Sequence, residues 1–157
     1  MKYLFVCGLA ALATATSTVA VAAPAPKPVA VAAEQIQLVP NPADFALAAL
    51  RIVAGADQGQ AAQIWDSASS VMKMIVSRDQ FVQVAVQRHS ASNGLHDLAW
   101  RSVIRVSMQQ PQGQLPAGNY LSVGVVGFRK DGKAAVETVS FVLDGDQKWR
   151  LVGLTEN

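Results

Sequence analysis

The chain has 157 residues, enough for one domain, with 51% apolar and 15% charged side chains and a formal net charge of +2. Its one cysteine, Cys7, stands so near the start that disulfides, thiol catalysis and thiolate metal sites are excluded from everything after it. The nearly neutral balance of 13 basic against 11 acidic residues lacks the electrostatic footprint of a nucleic-acid binder, so nucleic acid is not an expected partner.

Residues 1–22 read as an export leader. Lys2 supplies the positive start and residues 4–12 an apolar run, and Ala20-Val21-Ala22 offers the small-x-small pattern that directs cleavage before Ala23. A cut one residue later would leave Pro24 directly after it. The Thr/Ser-rich interruption over residues 14–18, with no basic stop after it, speaks against an uncleaved anchor. Membrane association is expected only if the leader stays uncleaved. Leu4, Phe5 and Val6 are too bulky for Cys7 to be a lipid-modified cysteine. Loss of Lys2 brings the mature chain one charge closer to neutrality.

Residues 23–41 read as a Pro/Ala-rich tether. Pro24, Pro26 and Pro28 favour extended geometry and cannot build a core. The alternation in Gln35-Ile36-Gln37-Leu38 permits a short edge strand, but the small apolar surface makes a mobile arm the expectation.

A single α+β domain is expected over residues 42–157. Asn41 as cap, Pro42 at the first helical position and Asp44 in the first turn start a helix. It is predicted to run to about Ala54 with Phe45, Ala48, Ala49 and Ile52 on one stripe, and to end in residues 55–59. Ala61, Ile64, Trp65, Ala68, Val71, Met72 and Ile75 then predict one continuous second helix, with Gln63, Asp66, Ser70 and Lys73 on its wet face. Ser77 and Gln80 form a capping box for a third, which presents Phe81, Val84, Ala85 and Arg88 and frays over residues 90–94.

From Asp97 the period becomes two. Trp100, Ile104, Val106 and Met108 alternate with Arg101, Val103, Arg105 and Ser107, predicting a strand with one apolar and one charged face. A loop follows over residues 109–118. Residues 119–128 are apolar on both faces, as in a strand central to its sheet. After a turn at residues 129–133 come two strands around Asp144-Gly145-Asp146-Gln147. Val139, Phe141 and Leu143 must share a face with Trp149 and Leu151, which requires an odd loop. Five residues would set Leu143 opposite Trp149 and Phe141 opposite Leu151; three would set Phe141 opposite Trp149. The expected fold is three N-terminal helices packed on one face of a four-stranded antiparallel sheet.

Chemistry is sparse. His89 and His96 lack ligand spacing, no glycine-rich phosphate loop exists, and Gly124 and Gly127 lie mid-strand, so no cofactor or metal is expected. Asp66 should face solvent. Glu137 shares strand parity with Val139 and Phe141 and must point to the core, where an unpaired carboxylate costs several kcal/mol, so it needs a cation. Arg88 is the first candidate and Arg101 the second. An ion pair tying helix to sheet is expected in preference to a catalytic acid. Arg101, Arg105, Arg129 and Lys130 could form a basic patch, but a solvated sheet face is expected.

Trp65-Asp66-Ser67-Ala68-Ser69, Val76-Ser77 with Phe81, Gly118-Asn119-Tyr120, Glu137-Thr138-Val139 and Trp149-Arg150-Leu151-Val152-Gly153, in that order, resemble a bacterial family called domain of unknown function 4019. The resemblance covers roughly residues 43–155. This chain departs from it in having Gly153-Leu154 where the family has Gly-Tyr, and in a longer stretch between Arg88 and Arg101. The resemblance implies an exported bacterial domain of cystatin-like or nuclear-transport-factor-like shape and carries no activity with it. The expected function is a non-enzymatic envelope module that binds a protein, peptide or envelope component on its sheet. The alternative is a small enzyme using Asp66 or Glu137 as a base.

Overall fold

The computed structural model describes residues 41–156. The expected leader, the tether apart from Asn41, and the weak strand at Gln35-Ile36-Gln37-Leu38 lie outside the described residues. The elements are α1 (Pro42–Asp57), α2 (Ala61–Asp66), α3 (Ser70–Ile75), α4 (Arg78–Ser92), β1 (His96–Met108), β2 (Gly118–Phe128), β3 (Ala134–Leu143) and β4 (Trp149–Glu156). This is an α+β fold with four helices, one more than expected, and one antiparallel sheet in the order β1-β2-β3-β4.

Side-chain caps set the helix starts. Asn41 accepts a hydrogen bond from the Ala43 amide at 3.1 Å, and Ser77 and Gln80 close the expected capping box on α4. Two helix boundaries differ from the sequence reading. Helix α1 continues through Gly55 to Asp57, because Ala49, Val53 and Ala56 keep its buried stripe going. The predicted second helix is split at residues 67–69. There the Ser69 amide donates to the Leu151 carbonyl of β4 at 2.9 Å, and the Ser69 hydroxyl accepts from the Met72 amide to cap α3. The local period is helical throughout; a tertiary hydrogen bond breaks it. Ala61, Ala68, Val71 and Met72 remain buried across the break, and Trp65 is half-buried with its indole N–H on the Val76 carbonyl at 3.1 Å.

The hairpin register is the one that a five-residue loop demands: Leu143 opposes Trp149 and Phe141 opposes Leu151. One helix-facing set therefore runs through Leu121, Val123 and Val125 of β2 to Val139 and Phe141 of β3 and Leu151 of β4. Phe45 of α1 meets Phe141 edge-on at 5.2 Å and Trp149 at 5.4 Å, which seats α1 on the sheet. On the opposite face, which no described helix covers, the Ser122 and Ser140 hydroxyls lie 3.0 Å apart, beside Gly124 and Thr138. Among the described residues its far end is covered, where Tyr120 donates to the Pro116 carbonyl and is buried with Val142. Strand β2 is central, as expected, but its second face is not sealed, since Phe128 is 40% exposed.

Strand β1 departs most from the sequence reading. Its pairing with β2 shifts between Trp100 and Ser102, placing a bulge at Arg101. The bulge inverts the parity. Trp100 opposes Val125 on the helix side with Val103 and Arg105, while Ile104 and Val106 oppose Ser122 and Tyr120 on the open side. The expected apolar face of Trp100, Ile104, Val106 and Met108 is therefore divided between the two sides of the sheet.

Candidate functional site

Glu137 lies on β3 opposite Val125, so strand parity turns it toward the helices, and it is 1% exposed. Arg88 of α4 reaches it with Nη1 at 2.6 Å from Oε2. The other amino group, Nη2, lies 3.4 Å from Oδ1 of Asp57, the last residue of α1. The second Asp57 oxygen accepts the Leu95 amide at 2.9 Å, and His89 Nδ1 lies 3.7 Å from the first. One guanidinium thus sits between two carboxylates and ties α1, α4 and β3 together, with the Arg88 and Asp57 side chains each only 10% exposed. The Arg88 Nε is buried without a partner among the described residues.

Asp57 was absent from the sequence reading because the predicted helix stopped before it. A carboxylate at a helix C-terminus opposes the helix dipole, and Arg88 and the Leu95 N–H offset that cost here. The signal is in the sequence: Ala56 continues the stripe of Ala49 and Val53 beyond Gly55, so only Gly59 acts as a stop.

Burial pushes the Glu137 carboxyl above its ordinary 4.5; Arg88 pulls it down and Asp57 adds to the rise. The folded state therefore holds its proton at higher pH than the unfolded state does. The stability this group contributes is complete below the ordinary value and is lost as pH rises through the raised one. Urea unfolding of wild type and Glu137→Gln from about pH 4 to about pH 7 should show wild type losing ground to the variant as pH rises. A shift in the other direction would contradict this assignment.

The other sequence candidates lie elsewhere. Asp66 is on the surface, held by Arg78 at 3.0 Å, with more than half its side chain exposed. Arg101 is not a partner of Glu137. A Cβ on Gly124 would come within 3.1 Å of the Arg101 Cγ, so Arg101 lies across the open face, on the side away from Glu137. Arg105 opposes Leu121 on the helix side, and Arg129 pairs with Glu156. The four basic residues considered together in the sequence therefore do not make one patch.

A base needs access as well as a shifted pKa. The cavity of about 520 Å³ beside α4 is lined by Arg88, Leu154 and Glu156, with neither Glu137 nor Asp57 in its wall. It adjoins an apolar hollow of about 290 Å³ under Met72, Phe81 and Leu154, which carries no ionisable group. A third cavity, at the β3–β4 turn, has its charges already engaged: Arg150 binds Asp144 at 2.9 Å and Asp146 at 2.7 Å, and these bonds hold the Asp146 carboxyl down to about 2. Among the described residues no three His, Cys, Asp or Glu side chains gather as a metal site.

The exposed surface is more distinctive than the cavities. Trp100, Ile104 and Val106 are 53%, 56% and 45% exposed along β1, and Phe128, opposite His96 at the end of β2, is exposed as well. Ile104 and Val106 share one face of β1, and Trp100 lies on the other.

No curated protein and no solved structure matches the chain. The family described as a protein of unknown function (DUF4019) matches residues 48–154, from the middle of α1 into β4, and the chain belongs to that family.

Proposed function

We propose that this chain is an exported, non-enzymatic binding module of the bacterial cell envelope, which takes a protein or peptide partner on the β1 side of its sheet. The observation that carries the reading is the exposed apolar pair Ile104 and Val106 on one face of an edge strand, with Trp100 exposed on its other face. The leader motif of residues 1–22 supports export, and helices on one sheet face with the other left open support the cup of a cystatin-like shape. The enzyme alternative has little to work with: Glu137 is sealed, and Asp66 is engaged by Arg78 on the surface.

The test uses the full chain, secreted through its own leader, as bait in extract of its native envelope. Wild type and Glu137→Gln should capture the same protein, and the Ile104→Asp, Val106→Asp double variant should lose it while unfolding within about 1 kcal/mol of wild type. Mass spectrometry should find the bait starting at Ala23. Capture that survives the double variant and fails with Glu137→Gln would reject the reading.

A further inference from the structure

We infer that the edge of β1 takes up an extended partner segment, carrying two carboxylates three residues apart among apolar and neutral side chains, as a fifth strand of the sheet. This rests on the binding-module reading and names the partner's chemistry. Strand β1 ends the sheet, and among the described residues it pairs with β2 alone. Among the described residues no other backbone hydrogen bond reaches it, and its outer row of amides and carbonyls has no partner among them. Proteins usually blunt such an edge with proline, inward charges or bulges. Strand β1 has a bulge at Arg101 and turns Arg105 to the helix side, but both register shifts fall before Ser102, and from Ser102 to Met108 the pairing is regular and free of proline. The opposite edge differs. On β4 the Leu151 carbonyl is already taken by the Ser69 amide.

Charge selects the partner. Among the described residues Arg78, Arg88, Arg129 and Arg150 each hold a carboxylate, whereas Arg101 and Arg105 on β1, like Arg51 on α1, hold none. No acidic residue lies on β1 after Asp97. The edge is therefore cationic on both sides, Arg101 over the open face and Arg105 over the helix face, with Ile104 and Val106 between and beside them. A second copy docking there would bring two more arginines to the same seam, a like-charge contact that disfavours it. An acidic strand meets both needs, because strand addition supplies the backbone hydrogen bonds and alternate side chains supply the specificity. Opposite Val106, Arg105, Ile104, Val103 and Ser102, an antiparallel added strand would read apolar, acidic, apolar, neutral, acidic. Alternation then sends the two carboxylates to opposite faces, one toward each arginine.

The probe is the capped peptide Thr-Val-Glu-Val-Thr-Glu-Thr, titrated into the full chain with amide exchange followed by NMR. Two controls accompany it, one with Lys for both Glu and one N-methylated at alternate amides. The Glu peptide should slow exchange in β1, and each control should bind about tenfold or more weaker. Arg101→Glu with Arg105→Glu should invert the preference between the Glu and Lys peptides. Equal binding of the Glu and Lys peptides, full binding of the N-methylated one, or a β1-mediated dimer of the free chain would overturn the inference. Should the peptides fail while the Ile104→Asp, Val106→Asp bait still loses its captured protein, strand addition is wrong and the binding surface stands. If capture too is unchanged, the binding-module reading falls with it.

Discussion

Arg88→Met is expected to cost about 3–5 kcal/mol in urea unfolding, because it leaves Glu137 and Asp57 buried together with no cation between them. Glu137→Gln should cost far less, about 1 kcal/mol or under, since the amide oxygen can still accept from Arg88 and one of two neighbouring carboxylates becomes neutral. The sequence pointed to a simple pair, in which neutralising Glu137 strands a cation; the presence of Asp57 changes that expectation. In the double variant Glu137→Gln should recover part of the Arg88→Met loss, because only Asp57 then remains charged. That recovery is the coupling a double-mutant cycle reads. Strict additivity would mean that Arg88 does not hold Glu137 in solution.

Phe141→Ala should cost a similar amount, about 3–5 kcal/mol, for a different reason. Phe141 is buried, opposes Leu121 on one neighbour strand and Leu151 on the other, and receives the edge of Phe45. Truncation opens a cavity where the helices meet the sheet and removes an aromatic contact worth about 1 kcal/mol beyond area burial. The Phe45→Ala, Phe141→Ala pair should therefore be less destabilised than the sum of the single changes. A loss under about 1 kcal/mol for Phe141→Ala would mean that α1 does not seat on this ring.

What the sequence made legible follows from how local each determinant is. The β3–β4 register could be read because the side-chain period is two, so a single loop parity puts Phe141, Leu143, Trp149 and Leu151 on one face. The α4 start could be read because Ser77 and Gln80 bond within four residues of each other. The break at Ser69 could not, because its cause is the Leu151 carbonyl, far along the chain. Nor could the bulge at Arg101: an extra residue in a strand leaves no mark on composition, yet it moved Trp100 across the sheet. The Arg88–Glu137 contact was visible as a buried carboxylate needing a cation. Asp57 was lost with the misplaced end of α1, and with it the reason that Arg88, more than Glu137, is the residue this cluster depends on.

The central claim, that partners meet the edge and open side of β1 while the buried carboxylates serve the fold, is tested most directly by a hydrogen-exchange footprint. The full chain is compared alone and bound to the protein it captures from envelope extract. Slowed exchange in β1 and the adjoining end of β2, with α4 and β3 around Arg88 and Glu137 unchanged, is the predicted result. Protection confined to the hollow between α4 and β4, with β1 exchanging as fast as in the free chain, would contradict it.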